Sequence, residues 1–269
     1  MKKSILILFL MSACFLFSCK EKQKKDKVEV KKGVTLPEVK KMTVKILSQL
    51  PHEGKNKYVQ GLEIKDGILY ESAGLYDQSC VKKIELKTGK LIISKDIPEV
   101  FAEGLTLFND YITVLTYREG IAETYNISDL SEKGVRFTYE GEGWGLTNDG
   151  EMLIMSDGSD RLFFRNPYSF KVEKVLNITI RGRPLYYLNE LEYVDGKIYA
   201  NVYGLNIIFG IDAKTGMVLE EIDASNLSCS MLSGTNSEAV LNGIAYDKDS
   251  KTFWVTGKEC PTIYQVVFE

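Results

Sequence analysis

The chain has 269 residues, 44% of them apolar, and a formal net charge of −3; this suits a strand-rich globular protein and supplies no basic field for nucleic acid. One histidine, His52, excludes a serine triad and a polyhistidine metal centre. The cysteines at 14, 19, 80, 229 and 260 include no CxxC pair, which argues against a structural zinc site.

Met1-Lys2-Lys3 and the apolar run after it form a charged n-region and an h-region, the pattern of a secretory signal that is too short and too terminal for a membrane span. The run ends in LFSC, which resembles a bacterial lipobox, although Phe17 is larger than the residue usual there. The resemblance implies cleavage before Cys19, lipidation at Cys19 and a membrane-anchored protein of the bacterial cell envelope, periplasmic or at the cell surface. Residues 20–40 are rich in lysine and poor in large apolar side chains, so they are expected to serve as a tether. The folded domain is expected to run from 41 to 269.

Met42 to Leu50 alternates like a strand and precedes the first of five related segments. These read QGLEIKDGILYES from Gln60, EGLTLFNDYITVLT from Glu103, WGLTNDGEMLIMSDG from Trp144, NELEYVDGKIYANVYG from Asn189 and NGIAYDKDSKTFWVTGK from Asn242. Their first residues are 43, 41, 45 and 53 positions apart. A period of about 40–45 residues with several short strands per unit is the pattern of a β-propeller. Asp66-Gly67 and Asp195-Gly196 predict tight hairpin turns, and the Lys-Thr-Gly triplets at 87–89 and 214–216 predict turns between outer strands. The expected fold is therefore all-β, a five-bladed β-propeller, with the strand at 42–50 pairing with the C-terminal TIYQVVFE to complete the last blade. Little helix is expected beyond a turn or two in ASNLSCSMLSG, and the polar segment from Ser225 to Glu238 reads as a loop over one face.

Symmetry would bring Gln60, Glu103, Trp144, Asn189 and Asn242 around one axis. The second strand of each unit ends near the same mouth and adds Glu71, Tyr117, Asp157, Tyr203 and Lys258. Carboxylates, carboxamides, one ammonium and aromatic rings thus converge, with no strong nucleophile among them. Glu71 and Asp157 are expected to hold turns through backbone N–H groups.

Taken in order, QGL, ESAGLY, EGLTL, YEGEGWGLT, MSDGS, LNELEYV, ANVY, NGIAYD and VTGK resemble the plant-type glutaminyl-peptide cyclotransferases, from about Tyr58 to Val267. That resemblance implies a five-bladed propeller that closes N-terminal glutamine to pyroglutamate and releases ammonia from peptides or proteins. It implies Glu103, in an F-x-E-G motif, as the proton shuttle, and Gln60, Asn189 and Lys258 as the polar ring that fixes the carboxamide. Trp144, Tyr117 and Tyr203 would wall the pocket; the two tyrosines stand where the family more often has tryptophan. No cofactor and no metal is expected, and the protein is expected to be a monomer.

Two other readings use the same residues. A propeller lactone hydrolase would hold calcium with Glu103, Asn189 and Asn242, which the ammonium of Lys258 opposes. A non-catalytic envelope propeller would bind peptide or glycan there. A pairing of Cys229 with Cys260 is the expected disulfide. The sign of any shift in the Glu103 pKa is left open, because Lys258 would lower it and an aromatic wall would raise it.

Overall fold

The computed structural model describes residues 36–227 and 239–269, and these are built from strands, with no helix among the described residues. β1 (Lys40–Pro51) comes first. A four-stranded antiparallel sheet follows, β2 (Val59–Lys65), β3 (Ile68–Ala73), β4 (Cys80–Glu85) and β5 (Lys90–Asp96), in sequence order. The second sheet has β6 (Ala102–Phe108), β7 (Tyr111–Thr116), β8 (Ile121–Asn126) and β9 (Glu132–Thr138). The third has β10 (Leu146–Asn148), β11 (Leu153–Ser156), β12 (Arg161–Arg165) and β13 (Val172–Asn177).

A small ribbon, β14 (Thr179–Ile180) with β15 (Arg183–Pro184), leads to β16 (Leu188–Val194), β17 (Lys197–Val202), β18 (Ile207–Asp212) and β19 (Val218–Asp223). The last strands are β20 (Leu241–Asp247), β21 (Thr252–Gly257) and β22 (Thr262–Phe268). β1 pairs antiparallel with β22, as the sequence led us to expect. It also pairs in parallel with β19, which joins the last two sheets into one of eight strands.

The local reasons are legible. Asp66 and Gly67, and again Asp195 and Gly196, all take positive φ, the backbone a two-residue hairpin requires and one that Asp and Gly tolerate. Strands first in their sheets are buried nearly throughout, β6 completely, whereas the outermost β5 alternates between half-buried and exposed. β2 packs against β6 and β20, β10 against β6 and β16, and β16 against β20, so these five inner strands form a circuit.

Apolar clusters sit between successive sheets. Tyr70 and Val81 pack on Leu105 and Val114, Leu115 on Met155, Ile154 and Phe164 on Leu191 and Phe209, Tyr199 and Ile208 on Phe253 and Val255. Leu62 and Leu69 meet Trp254 and Ile263, which joins the last sheet to the first.

Cys80 is a buried free thiol and Cys260 is disulfide-bonded. The readings that concern Cys229, the lipobox and most of the 225–238 segment fall outside the described residues.

Candidate active site

Four of the inner strands change register at the position the repeat motif marks. The shifts lie between Val59 and Gly61, Ala102 and Leu105, Leu188 and Leu191, and Leu241 and Ile244. They skip Gln60, Glu103, Asn189 and Asn242 respectively. A bulge bends the strand and re-aims the side chain, which is how residues on a buried strand come to face one mouth. The glycine after the marked residue lets the next inner strand approach. A Cβ on Gly104 would stand 2.4 Å from the Leu146 nitrogen, and one on Gly145 would stand 2.0 Å from the Asn189 carbonyl oxygen.

The fourth unit has Glu190 where the others have glycine. Its carboxylate bridges two other inner strands, accepting from the Leu62 N–H of β2 at 3.2 Å and the Ile244 N–H of β20 at 2.8 Å. This brace was missed in the sequence, because its partners lie on two other strands.

At the N-terminal ends of the inner strands is a cavity of about 280 Å³ lined by Tyr58, Gln60, Phe101, Glu103, Tyr117, Trp144, Asn189, Tyr203 and Lys258. It contains all seven side chains singled out for the pocket, and two the sequence reading missed. Tyr58 and Phe101 each stand two residues before a marked position, just ahead of β2 and β6. Asn242 does not reach the cavity; it lies buried behind Gln60.

Glu103 is buried, and one of its oxygens, Oε1, accepts from Gln60 Nε2 at 2.9 Å. Burial pushes its carboxyl well above the usual carboxylate range, and Lys258, the main opposing influence, does not offset this. The sign left open by the sequence is therefore upward. The Lys258 ammonium stands over two rings, 4.6 Å from the Tyr58 centroid and 5.3 Å from that of Tyr203. Trp144 meets Tyr203 edge-on at 6.1 Å, and its indole N–H donates to Glu142 at 3.1 Å. Arg118 completes the rim by donating to Glu142 at 3.0 Å and to the Tyr117 hydroxyl at 3.1 Å. The hydroxyl that distinguishes Tyr117 from a tryptophan is thus in use.

Asp157 accepts from the N–H and hydroxyl of Ser159, the turn-holding role expected of it. Glu71 differs. It does not line the cavity but sits in a buried network, accepting from Lys82 Nζ at 2.7 Å and lying 2.8 Å from His52 Nε2. Burial alone would raise its carboxyl, but His52 and Lys82 outweigh that and hold it at about 2. Among the described residues, no group of three or more His, Cys, Asp or Glu is placed to hold a metal ion.

A family model described as glutamine cyclotransferase matches residues 10–268. The chain belongs to the glutamine cyclotransferase family. It is 37% identical over 226 residues to a glutaminyl-peptide cyclotransferase of Arabidopsis thaliana, covering 83% of this chain and 70% of that relative. It also superposes on the crystal structure of Myxococcus xanthus glutaminyl cyclase with a TM-score of 0.80 and 33% identity, over 86% of this chain and 99% of the other. For a member of this family, a cavity with one buried carboxylate among carboxamides, an ammonium and aromatic rings is the place to seek the chemistry.

Proposed function

We propose that this protein is a glutaminyl-peptide cyclotransferase, closing the N-terminal glutamine of peptides or proteins to pyroglutamate and releasing ammonia. The observation that carries this reading is the buried Glu103, pushed toward neutrality inside the aromatic cup. The substrate supplies its own nucleophile. Its α-amine, with a pKa of about 8, is partly neutral at pH 7 and attacks the γ-carbonyl to close a five-membered ring. Holding the two groups together removes much of the entropic barrier.

Glu103 as carboxylate takes a proton from the attacking amine. As carboxylic acid it returns that proton to the γ-nitrogen, which leaves as ammonia. A carboxyl raised by burial is a stronger base toward the amine than an ordinary carboxylate is. Lys258 and Asn189 face the oxyanion of the tetrahedral intermediate, one with charge and one with a neutral donor. Trp144, Tyr117 and Tyr203 exclude water, and Gln60 holds the shuttle.

Five four-stranded blades in a closed circuit, a five-bladed propeller, is the architecture we assign. Residues 1–19 as a lipoprotein signal, 20–40 as tether and 41–269 as catalytic domain complete the assignment. Anchoring through Cys19 to the bacterial envelope, as a monomer, fits a substrate that arrives from outside the cytoplasm. Ammonia release from a Gln-initiated peptide, with and without a chelator, tests the function. Equal release in both supports a metal-free cyclase, and loss of release with chelator would overturn it.

A further inference from the structure

Asn242 opens the inner strand of the last sheet, yet it touches the reacting centre only through another side chain. It is fully buried, and its Nδ2 donates to the Val59 carbonyl at 2.9 Å and to Gln60 Oε1 at 3.3 Å. Gln60 Nε2 in turn donates to Glu103 Oε1 at 2.9 Å. The direction of every link follows from the first. A backbone carbonyl only accepts, so Asn242 must present its NH2 group to Val59. The same NH2 lies against Gln60, so Gln60 must turn its oxygen toward Asn242 and its own NH2 toward Glu103. Reversing Asn242 would set two oxygens against each other at Val59. Its orientation is held although Oδ1 is buried and has no hydrogen-bond partner in the structure.

We propose that Asn242 is a positioning residue which, acting through Gln60, commits Oε1 of Glu103 to accepting and leaves Oε2 to carry the shuttled proton. This rests on Glu103 being the shuttle. A glutamine free to rotate would follow its neighbour, giving N–H to a carboxylate and C=O to a carboxylic acid. A locked glutamine gives N–H to both. It therefore favours the ionised form, opposing the burial that raises the carboxyl, and it rules out the acid tautomer with its proton directed at Gln60. The proton taken from the amine and the proton given to the leaving nitrogen then pass through one oxygen.

The test compares Asn242→Ala, Gln60→Ala and the double variant by the pH dependence of kcat and kcat/KM for ammonia release. Asn242→Ala is expected to lower kcat about tenfold with little change in KM, and to move the acid limb to higher pH by roughly half a unit or more. The double variant should be no slower than Gln60→Ala alone, because both act on one path. Asn242→Leu, of similar shape and uncharged, releases Gln60 without adding a charge of its own and should move the limb in the same direction as Asn242→Ala.

If Asn242 only braces the strands, Asn242→Ala lowers Tm, leaves the limb in place and multiplies with Gln60→Ala; that result overturns the proposal. A wild-type protein that releases no ammonia speaks instead against the cyclase reading. Carbon-13 NMR titration of the Glu103 carboxyl, which requires no turnover, then compares wild type with the uncharged Asn242→Leu; a titration moved upward supports the relay and an unmoved one overturns it.

Discussion

The inner strands end in two cavities of opposite character. At their N-terminal ends the smaller, about 280 Å³, surrounds Glu103 with rings and one ammonium. At their C-terminal ends the larger, about 660 Å³, is lined by Glu63 and Glu192 and ringed by Lys65, Asp66, Asp149, Asp195, Asp247, Lys248 and Lys251. Both contain carboxyls raised by burial, and Glu63 reaches about 7. What separates them is what the carboxyls face. Glu63 accepts from the Thr106 hydroxyl at 2.7 Å and the Leu107 N–H at 2.8 Å, and Glu192 accepts from the Tyr246 N–H at 2.7 Å. These groups tie strands together. Glu103 instead meets a side-chain amide at the wall of an aromatic cup. A carboxyl raised by burial is common to both cavities; the neighbours of the carboxyl tell them apart.

The comparison can be broken most sharply at Glu103. Glu103→Gln should keep the fold and lower kcat/KM by about three orders of magnitude, read by ammonia release alongside circular dichroism. Next comes a change that should act on stability. Glu71→Gln leaves Lys82 buried beside a neutral group and should cost about 3–5 kcal/mol in denaturant unfolding, with little change in KM.

The depressed Glu71 carboxyl also fixes a sign. Its stabilisation is present above the ordinary carboxylate pKa and is lost as pH falls toward about 2, so acid unfolding of the wild type should be steeper there than in the variant. Lys258→Met should slow turnover about a hundredfold, because the oxyanion loses its charge partner, and should raise the acid limb of the profile. The smallest effect on activity is expected at the far cavity, where Glu63→Gln should leave kcat/KM within about a factor of two. Its raised carboxyl makes the wild type lose stability as pH rises toward about 7, and the variant's Tm should lack that fall.

Much of this was written in the chain. The repeat gave the hairpins because Asp-Gly turns state their own backbone; it gave Gln60, Glu103, Trp144 and Asn189 because each opens a unit, and Tyr117, Tyr203 and Lys258 because second strands end at the same mouth. Tyr58 and Phe101 share one spacing, two residues before a marked position, and that signal was overlooked. Glu190 was not readable, since its acceptor role depends on β20, packed beside its own strand, and on β2, which is not its neighbour in the circuit. The His52, Glu71 and Lys82 network depends on register: Glu71 and Lys82 face each other across β3 and β4, and His52 arrives from outside that sheet. The sign of the Glu103 shift was equally out of reach, because it balances one ammonium against a burial that only the assembled sheets create.

The most direct test is mass spectrometry of a Gln-initiated peptide incubated in parallel with wild type and Glu103→Gln. Wild type alone should produce the loss of about 17 Da that marks one departing ammonia. A peptide left unchanged by wild type, or cyclised equally by both proteins, would contradict it.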